Sequence, residues 1–62
     1  VNLGSQLRRY RKEKSLTLRV VAERTGLSEG FLSQVENNVK SPSVENLVNI
    51  CQALGVSAGD LL

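Results

Sequence analysis

The stretch LRVVAERTGLSEGFLSQVEN, residues 18–37, decides the fold. Its apolar residues fall into two short helical registers, interrupted at Gly26-Leu27-Ser28. Thr17 precedes the first register and Ser28 the second, and both types cap helix N-termini through a side-chain oxygen. Gly26 suits the left-handed conformation that ends a helix. So short a turn makes the two helices cross steeply, and the residues at the crossing must be small or apolar. Ala22 lets the second helix approach, while Leu27, Leu32 and Val35 fill the angle between the two. Glu29, Gly30, Ser33, Gln34 and Asn37 are left on the outer face of the second helix. Short hydrogen-bonding side chains of this kind suit a major groove.

Outward from this core, the spacing predicts three further helical segments. Asn2 caps a first helix from Leu3 to about Lys14, where Leu3, Leu7, Tyr10 and Lys14 recur at helical spacing beside Arg11. The second and third helices run from Leu18 to about Thr25 and from Glu29 to Asn37. Asn38 then suits a left-handed position, since Asn tolerates positive φ. Lys40-Ser41-Pro42-Ser43 is a loop, because proline biases Ser41 away from helix. Ser43 caps a fourth helix, Val44 to Leu54, whose Leu47, Ile50, Cys51 and Leu54 form an inward stripe, and Gly55 ends it. Ser57 and Asp60 have capping-box spacing around a last turn, Ala58 to Leu61. With no alternating strand pattern, the expectation is one compact all-α domain of five helices over residues 1–62.

The 62-residue chain is 40% hydrophobic, and Leu, Val, Ile and Phe supply 20 residues, too many for a disordered tail. Its longest apolar run is Val20-Val21-Ala22, so the sequence holds no membrane span or signal-peptide core. One Cys and no His exclude an internal disulfide and an ordinary zinc set. The lone thiol points to a reducing, cytoplasmic setting, and Cys51 itself reads as a small buried apolar residue. No nucleophile sits beside a plausible base and no phosphate-binding glycine loop occurs, so neither an enzyme nor a cofactor is expected. Charge is divided along the chain. Residues 1–24 carry seven basic and two acidic side chains, net +5, whereas residues 25–62 carry one and four, net −3. A basic half suits a polyanion partner, although a solvated helix face has the same composition.

The ordered set of residues resembles one family. Leu3-Gly4, Leu7 and Arg11 are followed by Ala22-x-x-x-Gly26-Leu27-Ser28 and Phe31-Leu32-Ser33-Gln34-Val35-Glu36. Pro42-Ser43, Leu47 and Ala53-Leu54-Gly55-Val56 complete it. Together they resemble the lambda-repressor/Cro-like helix-turn-helix domains, the XRE family of transcriptional regulators, over nearly the whole chain. That resemblance implies a DNA-binding domain whose third helix enters the major groove. Position by position, Glu29, Gly30, Ser33 and Gln34 fall where the family reads bases. Thr17, Asn37 and the loop with Asn38, Lys40 and Ser41 fall where it grips phosphates. It also points to an Arg11–Glu36 ion pair, with Glu36 presenting Arg11 toward a phosphate.

Departures from the family pattern bear on this reading. Leu18 stands where many relatives have Gln, so that polar contact is lost or passes to Arg19. Asn38 stands where Gly is more usual. The third helix has no Lys or Arg, which removes guanine reading through a bidentate Arg. Glu29 either accepts from a cytosine amino group or favours the helix N-terminus electrostatically. Gly30 is explained by close approach to DNA or by tolerance in the first helical turn. Phe31 reads as core.

The function expected is that of a sequence-specific DNA-binding domain, most simply of a repressor, acting as a homodimer on a palindromic double-stranded operator. Dimerisation is expected through the C-terminal Leu61 and Leu62. A similar N-terminal module occurs in regulators that continue into a sensor domain. An antitoxin or restriction-system controller is a variant of the same reading, and a helical protein-interaction module without DNA binding is the alternative.

Overall fold

A computed structural model describes residues 2–61. It contains four α-helices: α1 (Leu3–Glu13), α2 (Leu18–Thr25), α3 (Glu29–Glu36) and α4 (Val44–Leu54). The expected fifth helix, Ala58–Leu61, is instead a 3₁₀ turn. Four residues are too few for continued α-helical bonding, so the turn closes through Asp60 N–H to Ser57 O at 3.0 Å. The Asp60 carboxylate accepts from Ser57 N–H, and Ser57 Oγ accepts from Gly59 N–H. Among the described residues there is no strand.

Each α-helix starts where a side-chain acceptor stands ready. Asn2, Thr17, Ser28 and Ser43 accept from the backbone N–H groups of Ser5, Val20, Phe31 and Asn46 at 2.9–3.1 Å. α2 and α4 end on Gly26 and Gly55, both left-handed. α1 and α3 each stop one residue before the expected end, with Lys14 and Asn37 as C-caps. Ser15 and Asn38, the next residues, adopt φ of 56° and 60° and turn the chain out of the helix. Asn38 was legible for this and Ser15 was not, since Ser carries no comparable left-handed preference.

Leu7, Val21, Leu32, Val35, Ile50, Cys51, Leu54 and Leu61 form the core, with Leu18, Ala22, Leu27, Phe31 and Leu47 packed at its edge. Burial pushes the Cys51 thiol pKa up, and the nearby Asp60 carboxylate adds to the shift. A thiol so held is a packing group. Leu61 is also core, at 8% exposure. The expected dimer contact through Leu61 is therefore corrected: its side chain closes the base of this domain and is not presented to a second copy. Leu62, the other residue of that expectation, lies outside the described residues.

Two polar features fix α3 against α1. Arg11 Nε and Nη2 donate to Glu36 Oε2 and Oε1 at 2.7 and 3.0 Å, and Nη1 donates to Leu16 O at 2.8 Å. Both side chains of the pair are 11% exposed, so solvent screens it weakly. The guanidinium is shared between Glu36 and the Leu16 carbonyl, which ties the end of α3 to α1 and to the loop before α2. Beside it, Gly4 is buried where α1 meets the end of α3. A Cβ there would collide with the Val35 carbonyl and stand 2.6 Å from Glu36 O. The Gly4 N–H donates to Asn38 Oδ1 at 3.2 Å, and Asn38 Nδ2 donates to Asn2 Oδ1.

Gly4→Ala should therefore destabilise the domain by about 1–3 kcal/mol in urea unfolding, because backbone must move to admit a methyl group. Arg11→Met and Glu36→Gln should each cost about 2–4 kcal/mol, since either leaves a poorly compensated group at the core edge. The double variant should lose less than the two combined, by at least about 1 kcal/mol; additive losses would show that the pair is not coupled.

Candidate nucleic-acid interface

The turn between α2 and α3 is built by more than its glycine. Gly26 takes φ of 75° and donates to Ala22 O at 2.8 Å. The Thr25 hydroxyl donates to Val21 O at 2.8 Å and accepts from Leu27 N–H at 3.2 Å. One side chain thus satisfies backbone groups on both sides of the corner. Asn49 of α4 donates to Thr25 O at 2.8 Å, tying the corner to the body of the domain. Neither Thr25 nor Asn49 was singled out from the sequence, where Thr25-Gly26 is the only local hint. With the corner held, Leu32 and Val35 are buried and Phe31 packs beside them.

That burial sets the rotation of α3 about its axis. Glu29, Gly30 and Gln34 are exposed on it, and Ser33 is partly buried. These residues share the outer face as the spacing required. The Asn37 amide folds back on the helix end, donating to Ser33 O at 2.9 Å and to Ser33 Oγ at 3.4 Å. Its Oδ1 and the Ser33 hydroxyl proton remain available. Gln34 makes no side-chain hydrogen bond among the described residues, so its amide keeps both donor and acceptor capacity. Gln34 thus presents an uncommitted amide on this face.

The residues placed at phosphate positions are less uniform. Lys40 is exposed, and its N–H donates to Gln34 O at 3.2 Å alongside Val39 N–H at 2.8 Å. The loop is thereby anchored on α3 while the Lys40 ammonium stays outside. Ser41 is exposed next to it. Asn38 differs, because its side-chain amide is engaged with Gly4 and Asn2 and serves α1. The Thr17 hydroxyl caps α2, and Arg19 pairs with Glu23 at 3.3 Å on a highly exposed face. Such a pair is weak in water and leaves Arg19 able to exchange partners. Leu18 packs against the core, so its apolar character has a structural use. Among the described residues, no cluster of ligating side chains has metal-binding geometry, and no helix is long and apolar enough to cross a membrane.

The helix-turn-helix family profile matches residues 7–61. The HTH-type transcriptional regulator y4dJ of Sinorhizobium fredii is 42% identical over 60 residues, covering 97% of this chain and 78% of that protein. A crystal structure of the clp gene regulator ClgR from Corynebacterium glutamicum superposes with a TM-score of 0.94 at 43% identity, covering 97% of this chain and 64% of that one. The structure of the biofilm regulator SinR in complex with DNA gives a TM-score of 0.87 at 35% identity, with 95% of each chain covered. Against SinR of Bacillus subtilis at full length, the chain spans 55% of the relative. With the turn, the buried pair and the exposed face of α3 in the arrangement described, the chain belongs to the XRE-type helix-turn-helix family of transcriptional regulators.

Proposed function

We propose that this chain is the sequence-specific DNA-binding domain of a transcriptional repressor. In this reading it acts as a homodimer on a palindromic operator, with α3 in the major groove of each half-site. The observation that carries it is the exposed edge of α3. Leu32 and Val35 are turned into the core while Glu29, Gly30 and Gln34 are turned out, on a helix tied to α1 through Glu36 and Arg11. The relative SinR has been captured in complex with DNA, which supports DNA binding by a domain of this fold. Two domains reading adjacent half-sites would lie about 34 Å apart, one turn of the duplex. Regulation is then by occupancy, with no chemical step.

The two kinds of contact divide between α3 and its following loop. The Gln34 amide donates to and accepts from one adenine edge, which identifies a base. The Lys40 ammonium neutralises a phosphate and identifies none. Glu29 accepts from a cytosine amino group, and Ser33 hydrogen-bonds a neighbouring base. Thr17, Arg19, Asn37 and Ser41 line the backbone side, while Asn38, its N–H donating to Val35 O and its side-chain amide engaged with Gly4 and Asn2, holds the loop in place. One observation favours a different class of function: α3 has no cation and begins with Glu29. A helical protein-interaction module would have the same feature. A gel shift on random duplexes separates the two, since salt-sensitive retardation belongs to DNA binding and none at about 50 mM salt to the interaction module.

Gln34→Ala should lower affinity for the preferred site by about 1–3 kcal/mol and relax selectivity at a single base pair. Lys40→Ala should weaken binding to all sequences alike and reduce the salt slope by about one unit. Affinities for a preferred site and its single-base variants at several salt concentrations measure both effects. The reverse pattern, with selectivity lost at Lys40 and uniform weakening at Gln34, would remove α3 from the groove.

A further inference from the structure

Gly30 has no reason for being glycine inside the fold. Gly4 is required by contact and Gly26 by its positive φ, but a Cβ on Gly30 meets nothing within 4 Å. The residue lies in ordinary helical backbone in the first turn of α3. Alanine would fit there and would favour the helix. A glycine that weakens a helix of eight residues, with no return inside the protein, calls for a cause outside it. On the exposed face Gly30 lies one turn before Gln34 and next to Glu29.

We propose that Gly30 is a seat for the 5-methyl group of a thymine, one or two base pairs from the adenine read by Gln34. This rests on the DNA-binding reading above. The thymine methyl is the apolar group displayed on base edges in the major groove. Glu29 and Gln34 offer that group polar ends, while the bare Cα of Gly30 leaves open space in which an apolar group can sit against the helix. The Glu29 carboxylate beside that space repels a phosphate and tolerates a neutral methyl group. Four helical residues advance about 6 Å, which sets the separation from the Gln34 contact at roughly two base-pair steps.

The test uses duplexes enriched from a random-sequence pool by the wild-type chain. Each thymine of the enriched site is replaced singly by deoxyuridine, which removes only the methyl group. At one thymine the wild type should lose about fourfold in affinity, the worth of one buried methyl. Gly30→Ala should raise the melting temperature by about 4–8 °C. It should bind the thymine site about tenfold more weakly and recover most of that loss on the deoxyuridine site, where the added methyl finds room. Undiminished binding by Gly30→Ala overturns the proposal, and so does a loss that deoxyuridine fails to rescue at every thymine. A pool that yields no enriched site overturns the DNA-binding reading itself, which is a distinguishable result.

Discussion

One guanidinium joins three parts of this chain. Arg11 projects from α1, reaches the Leu16 carbonyl in the loop before α2, and holds both carboxylate oxygens of Glu36 at the end of α3. The planar fork matches the carboxylate, so the pair sets an orientation as well as an attraction. At 11% exposure neither partner is fully solvated, and separating them leaves a charge without compensation. The direction in which α3 faces depends on this contact together with Leu32 and Val35.

An isolated eight-residue helix is not stable in water, so α3 exists through what holds its ends. At the start, the Ser28 cap and the Thr25 hydroxyl satisfy the corner. At the finish, Glu36 is clamped by Arg11, and the Gln34 carbonyl accepts from the loop. Gly4 allows α1 to lie against the last carbonyls of α3, and Asn38 stitches the following loop to the start of α1. The helix is therefore supported at both ends, while Glu29, Gly30 and Gln34 on its outer face make no side-chain contact that holds the fold. In the proposed function, that freedom lets side chains there vary with the operator while the frame stays unchanged.

Positive charge and the outer face of α3 are separated in the same way. The net +5 of residues 1–24 lies in α1, α2 and their junction, whereas α3 has only acidic charge. Within the DNA-binding reading, the basic half draws the domain to the duplex and the neutral amide of Gln34 discriminates. Lys40 is the cation nearest in sequence to α3, and its loop is bonded to that helix through the Gln34 carbonyl. A contact at one is geometrically coupled to the other.

The sequence by itself determined the all-α class, the four α-helices, their N-caps and the outer face of α3. These follow from local physics: capping oxygens, glycine punctuation and an apolar period that leaves Glu29, Gly30 and Gln34 outside. The Arg11–Glu36 pair was expected from the family resemblance and from an ionisable residue beside an inward stripe. Tertiary structure decided what local pattern does not encode. Asn38 has the same amide whether it faces a phosphate or Gly4, and only the approach of α1 selects Gly4. Leu61 is equally apolar at a dimer contact or in the core, and only the fold of the last turn buries it. Gly4 and Gly30 look alike in sequence. One is required by a carbonyl brought against it from 31 residues away, the other by nothing within the chain. Contacts between distant residues depend on how helices cross, and that is set by the packing of the whole core.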